Sequence, residues 1–310
     1  MHTILGAGGT IGIMLARELG MSGHKVRLVG RNPVLTEGAS EVFRADLSDR
    51  EKTLEAVSGS EVVYLLAGLK YDVQTWQLLW PRIMENSIEA CKRANAKLLF
   101  FDNVYMYGKV SGCMTEETPY NPCSRKGEIR ARIASRLLHE IKAGNLKGMI
   151  ARCADFYGPL AKKGIPNILV FDRLARRKPA LWLLSDAVPH SCTYIEDAAR
   201  SLALLAATDA AWNQTWHVPT ASNPPNGKAF IEMAARAFDL APKYHVLSRP
   251  MLKVSGWFDS DIRESHEMLY QSDSDYLFDS SKFSNAFGVK PTSYEQGILQ
   301  TALAKASARS

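Results

Sequence analysis

Long hydrophobic runs are missing from this 310-residue chain, and so are the cysteine and histidine spacings that mark metal sites. No stretch approaches the ~18 uninterrupted apolar residues of a membrane-spanning helix, so none is expected. Strand-forming residues begin at Thr3, so no secretory leader is expected. The five cysteines (Cys91, Cys113, Cys123, Cys153 and Cys192) are odd in number and include no CxxC pair. They read as reduced thiols of a cytoplasmic protein, not as a disulfide framework or a zinc site. The seven histidines show neither HxxxH nor HExxH spacing, so no metal is expected. Internal repeats and low-complexity segments are absent. The net charge of +6 is dispersed, and no basic stripe is interleaved with stacking aromatics, which argues against a nucleic-acid partner. A solvated basic face, or attraction for a phosphorylated cofactor and an anionic substrate, accounts for the charge.

What the chain does have is a glycine-rich turn almost at its start, Gly6-Ala7-Gly8-Gly9-Thr10-Ile11-Gly12. A short apolar strand precedes it and an apolar-periodic helix follows. That order places a helix N-terminus and bare backbone against the pyrophosphate of a dinucleotide. Gly6 permits the turn, Gly9 lets the phosphates approach, and Gly12 allows helix and strand to pack closely. The spacing is GxxGxxG, with Ile11 where the commoner GxGxxG would end.

The strand over 25–29 runs into Gly30 and Arg31. An NAD site usually carries an acid about 20 residues beyond the glycines, for the adenosine ribose. Here the place holds Arg31, and no acid follows until Glu37. A guanidinium pairs with a 2′-phosphate where a carboxylate would repel it, so NADP is expected over NAD. The plainer reading makes Arg31 a solvated loop residue.

Strands and helices then alternate: helix 11–22, strand 42–45, helix 50–57, strand 61–67, helix 76–94 and strand 97–101. This predicts an α/β fold, a Rossmann-type doubly wound parallel sheet with a smaller C-terminal substrate lobe. Ligands of such sheets bind beyond the carboxyl ends of the strands. The glycine turn, Arg31, Asp46, Ala67-Gly68 and Asp102-Asn103 all fall at such ends. Residues 1–159 read as the NADP-binding part, with 191–209 returning to its sheet. Residues 160–190 and 210–303 read as the substrate lobe, and 304–310 as a frayed tail.

With these pieces in order, the chain resembles the extended short-chain dehydrogenase/reductase family, the NAD-dependent epimerases and dehydratases. The resemblance continues through Tyr105-Met106-Tyr107-Gly108, Arg152 to Pro159, Thr193 to Asp197 and Asp279 to Lys282. It implies that Asp46 and Leu47 flank the adenine and that the Ala67-Gly68 backbone lines the cofactor. It also implies a Ser or Thr four residues before Tyr107 and a helical YxxxK about two dozen residues later. This chain has Asn103 at the first position, and Lys126 and Arg130 at the tyrosine and lysine of the second.

Lys126 and Arg130 are one helical turn apart and share a face. Two cations brought together favour the neutral amine, so Lys126 is expected to donate or accept the substrate proton. Arg130 is expected to hold the ribose or a phosphate. Asn103 can donate an amide hydrogen bond to a substrate carbonyl. Tyr71, in the loop beyond Gly68, is a second candidate proton donor. Asp155 stands where relatives often carry asparagine facing the substrate; a carboxylate there prefers a donor-rich or cationic group, unless it pairs with Lys126 or Arg130. The expected function is an NADP-dependent oxidoreductase acting on a small carbonyl or hydroxyl compound. The alternatives are a non-catalytic NADP-binding redox sensor, and a nucleotide-sugar epimerase or dehydratase. Helices 76–94 and 125–140 are candidates for pairing two subunits in a homodimer.

Overall fold

In the computed structural model, described over residues 1–307, the elements run in this order: β1 (His2–Leu5), α1 (Thr10–Met21), β2 (Val26–Gly30), β3 (Glu41–Arg44), α2 (Arg50–Val57), β4 (Val62–Leu65), α3 (Val73–Ala94) and β5 (Lys97–Asp102). There follow β6 (Cys113–Met114), α4 (Arg125–Lys142), β7 (Gly148–Arg152), β8 (Asp155–Tyr157), α5 (Asp172–Leu174), β9 (Ala180–Leu183), β10 (Cys192–Tyr194) and α6 (Ile195–Ala207). The last are β11 (Thr215–His217), α7 (Gly227–Ala237), β12 (Tyr244–Leu247), α8 (Arg249–Ser255), α9 (Ser260–Ser265), β13 (Leu277–Phe278), α10 (Ser281–Phe287) and α11 (Tyr294–Ser307).

The chain divides into two compact units, 1–106 with 125–152 and 198–218, and 107–124 with 153–197 and 219 onward. The first holds a seven-stranded sheet in the order β11-β7-β5-β4-β1-β2-β3. Every neighbouring pair in it is parallel. Strands β1, β4 and β7 are buried along their whole length, as strands covered on both faces must be. This is the α/β Rossmann-type architecture read from the alternation. Helix α3 starts at Val73 rather than 76, because the Asp72 side chain accepts from the Thr75 backbone N–H and caps it.

The second unit is built of short parallel pairs, β8 with β10, β9 with β12 and β6 with β13. Its core gathers Tyr157, Phe171, Trp182, Tyr194, Phe230 and Tyr294. The Tyr157 ring stacks on Tyr294 at 5.9 Å between centres. Gly297 makes room for it, since a Cβ there would lie 2.3 Å from the Tyr157 hydroxyl.

Three expectations about organisation differ from what is seen. Strand β10 does not rejoin the large sheet: Cys192 to Tyr194 pair with Asp155 to Tyr157 instead. The strand that closes the large sheet is β11, in register with Ile150 to Arg152 of β7. Residues 107–124 and 153–159 therefore fall in the second unit, and 210–218 in the first. Finally, the expected tail at 304–310 begins inside α11, which is helical to Ser307; its last three positions lie outside the described residues.

Candidate functional site

The turn after β1 is shaped by a close approach. Gly6 has a φ of +94°, and a Cβ on it would lie 2.5 Å from the Ala67 Cα. Only glycine meets both conditions. Gly12 sits against the turn, where a Cβ would come within 3.3 Å of Ala7. Around Gly8 and Gly9 the situation reverses. A Cβ on Gly8 would meet nothing within 4 Å, and one on Gly9 only the Gly6 carbonyl oxygen at 3.9 Å. Gly9 is the N-cap residue of α1 and makes no side-chain cap hydrogen bond, and no acid lies in the first turn, which contains Thr10 and Ile11. A twelve-residue helix thus opens its positive end onto uncovered backbone, a fit for the pyrophosphate of a dinucleotide.

At the ends of β2 and β3, Arg31 is exposed and Asp46 stands close enough for their charges to interact. The Asp46 carboxyl is held below its ordinary range, chiefly because Ser48 donates to it from both backbone and hydroxyl. Leu47 is buried, and its carbonyl accepts from Thr53 and Asn86. Beyond β4, Ala67 is half-buried against Gly6, and Gly68 is exposed.

Beyond Gly68, the loop brings Tyr71 over the first turn of α4. Lys126 is fully buried there, its Nζ 4.6 Å from the centre of the Tyr71 ring. A cation over a phenol face is held by the ring quadrupole. The Tyr71 hydroxyl lies 3.4 Å from that of Tyr105. Trp76 meets Tyr71 edge-on and stacks on Tyr105. Tyr71 and Lys126, which the sequence singles out separately, are therefore neighbours.

Asn103, just after β5, uses its side-chain oxygen to accept from the Tyr105 backbone N–H at 3.1 Å. Its amide N–H groups are the donors that remain for chemistry. Arg130 takes a different course from the one expected. Its Nε donates to Asp102 Oδ1 at 2.7 Å, and the guanidinium lies over the rings of Trp80 and Phe100. A guanidinium with 4% side-chain exposure requires a carboxylate, and Asp102 at the end of β5 provides it. Arg152, at the end of β7, approaches the other oxygen of Asp102 at 3.7 Å.

The aromatic group of Trp76, Trp80 and Tyr105 and the part played by Arg152 go beyond the residues singled out from the sequence. The i, i+4 tryptophans of α3 are the signal that points to the first. In the second unit, Asp155 pairs with His190, Oδ2 to Nε2, at 2.9 Å. None of the five cysteines is in a disulfide. Among the described residues, no group of three or more His, Cys, Asp or Glu is arranged to hold a metal ion, and no helix is long and apolar enough to cross a membrane.

Fold and glycine turn together define a Rossmann-type enzyme. The family model described as "NAD dependent epimerase/dehydratase family" matches residues 2–218, and the chain belongs to that family. No curated protein matches its sequence. Among solved structures, MoeE5 in complex with UDP-glucuronic acid and NAD is similar at 20% identity, with a TM-score of 0.80 and 99% of each chain covered. The UDP-glucose 4-epimerase of Thermus thermophilus, in complex with NAD, is similar at 20% identity and a TM-score of 0.79, covering 98% of this chain and 99% of that one. The dTDP-glucose 4,6-dehydratase DesIV of Streptomyces venezuelae, with NAD and DAU bound, is 14% identical at a TM-score of 0.80, covering 98% and 96%. At these identities the likeness is one of fold.

Proposed function

We propose that this enzyme is an NADP-dependent oxidoreductase acting on a small carbonyl or hydroxyl compound, with Lys126 in the place usually given to a catalytic tyrosine. The observation that carries the reading is the buried Lys126 ammonium over the Tyr71 ring, beside Tyr105. It sets three proton-bearing groups together near the carboxyl ends of β4 and β5, where doubly wound sheets bind ligands. The open backbone at Gly8 and Gly9 and the acid-free first turn of α1 support a dinucleotide there.

In this reading the first unit holds the cofactor, Gly6, Gly9, Thr10, Ile11 and Gly12 cradling the pyrophosphate. Asp46 and Leu47 lie beside the adenine, Ala67 and Gly68 line the cofactor, and Arg31 meets the 2′-phosphate. A bound nicotinamide supplies hydride exchange; the chain supplies the accompanying proton. Lys126 or Tyr71 gives that proton to the substrate oxygen in reduction and takes it in oxidation, while the Asn103 amide steadies the same oxygen. Arg130 is a positioning residue: its pairing with Asp102 fixes the face of α4 that carries Lys126.

The NAD complexes among the fold relatives favour a second reading, a nucleotide-sugar epimerase or dehydratase using NAD. Titration with NADPH and NADH, followed by nicotinamide fluorescence, separates the two. A clear preference for NADPH is expected, and a preference for NADH would remove Arg31 from the site. Lys126→Ala should abolish NADPH oxidation with a responding carbonyl compound, while cofactor affinity changes little. Retained turnover would move the proton to Tyr71, and Tyr71→Phe would then be the disabling change. Cofactor binding without turnover over a broad carbonyl panel would favour the redox-sensor alternative.

A further inference from the structure

Bases occur all along this chain, but acids are scarce in one stretch of the second unit. Residues 160–178 carry Lys162, Lys163, Arg173, Arg176, Arg177 and Lys178 against the single acid Asp172, an excess of five where the whole chain has six. Asp172 is itself met by Lys305, Nζ to Oδ1 at 2.7 Å. Arg173 serves the fold, its Nε donating to the Pro179 carbonyl at 2.6 Å. The other five cations are exposed, and none makes an ion pair with a described residue.

The fold sets these charges at both ends of a small apolar face. Residues 165–174 are helical, and the Ile168 N–H donates to the Gly164 carbonyl at 3.0 Å. Ile165 and Ile168 are therefore neighbours on one side of the helix, and they are 43% and 44% exposed. Leu160, just ahead of Lys162 and Lys163, is exposed as well. At the other end Arg177 takes a left-handed φ of +54°, and the N–H groups of Arg176 and Lys178 donate to the Arg173 carbonyl. That turn stops the helix and fixes the backbone from which Arg176, Arg177 and Lys178 project.

A scattered exposed aliphatic residue is ordinary on a protein surface. Two on one side of a helix, framed by five unpaired cations, match the boundary between lipid and water. There aliphatic side chains enter the acyl region while cations meet anionic headgroups. Each cation close to an anionic bilayer raises partitioning roughly fivefold. Nucleic acid is a poorer match, because single strands stack on aromatic faces, and Phe171, the one aromatic residue of the stretch, is fully buried.

We propose that residues 160–178 form a docking surface for an anionic lipid bilayer, on which the protein rests without crossing it. The surface lies wholly within the second unit and is independent of the cofactor reading above.

The test is co-sedimentation of the full-length protein with vesicles of equal parts phosphatidylserine and phosphatidylcholine, and with vesicles of phosphatidylcholine alone. Binding to the first is expected, and binding at least about tenfold weaker to the second. Arg176→Gln with Arg177→Asn and Lys178→Gln should weaken binding to the anionic vesicles at least about tenfold. Asparagine suits position 177 because it tolerates the left-handed backbone there. Ile165→Ser with Ile168→Ser keeps every charge and should weaken binding at least about fivefold, through lost apolar insertion. No sedimentation with anionic vesicles, or equal sedimentation with both kinds, would overturn the proposal. Undiminished binding by the isoleucine variant would overturn it too, since the surface would then recognise negative charge alone, as a soluble polyanion such as heparin supplies. Thermal unfolding of each variant establishes that it is folded, and the comparison of the two vesicle compositions needs no variant.

Discussion

Gly6 and Gly9 lie three residues apart in one turn, yet they face opposite demands, and substituting each with alanine separates folding from binding. At Gly6 the backbone is left-handed and a methyl group would strike the Ala67 main chain. Gly6→Ala should cost at least about 2 kcal/mol, read as a lowered midpoint in urea denaturation. At Gly9 the φ is −87°, ordinary for any residue, and the nearest heavy atom to an added Cβ is 3.9 Å away. Gly9→Ala should leave stability within about 0.5 kcal/mol but weaken NADPH binding, because the methyl group would occupy space the phosphates need. Equal effects on stability at the two positions would contradict this division. These glycines are legible in the sequence because their demands are local: a strand, a turn and a helix follow one another within a dozen residues. The individual surroundings of Arg31 are not, since Asp46 reaches it from the neighbouring strand.

Helix α4 shows the same contrast one level up. Its expected span, 125–140, is close to the observed Arg125–Lys142, and the i, i+4 spacing of Lys126 and Arg130 places both on one face, which the structure buries. What each cation meets there is not legible. Tyr71 comes from the loop after β4 and Asp102 from the end of β5, and no local pattern announces either meeting. The Arg130–Asp102 pair is nearly devoid of solvent on both sides. Arg130→Met should therefore destabilise by about 3–5 kcal/mol, because Asp102 loses its principal partner while still buried. The double change Arg130→Met with Asp102→Leu should recover part of that loss, a non-additivity that chemical denaturation of the two single variants and the pair would reveal. An additive result would mean that the two side chains are not energetically coupled. Surface pairs such as Lys52 with Glu55 should show no comparable effect.

For the whole molecule, the end of the large sheet opposite the glycine turn carries a pH response. His2 in β1 is 5% exposed, hydrogen-bonded to the Tyr64 hydroxyl at 2.8 Å, and its ring is 4.1 Å from that of His24. Burial, reinforced by the charge of His24, lowers its pKa from 6.5 to about 4. A base with a depressed folded value is protonated first in the unfolded chain. Stability should therefore fall as pH drops from about 6.5 to about 4 and level off below that, by up to about 3 kcal/mol from this group. Melting curves across that window should be flatter for His2→Gln; an unchanged slope would assign the acid sensitivity to other groups.

The fold class is legible at this scale because parallel strands buried on both faces read as short apolar runs between helices. The interleaving of the two units is not, because the strand that closes the large sheet, β11, is only three residues long and follows a long excursion. That excursion bears on how the protein is made. When the ribosome has finished β7, the hydrogen-bonding edge of a fully buried strand stands open. Its partner is not synthesised until the β8–β10 region and α6 have been completed. A nascent chain in that interval carries an unpaired sheet edge, the feature most prone to capture by another chain. Folding yield should consequently depend on how quickly residues 153–217 follow, with slow translation of that stretch favouring aggregation over the native sheet.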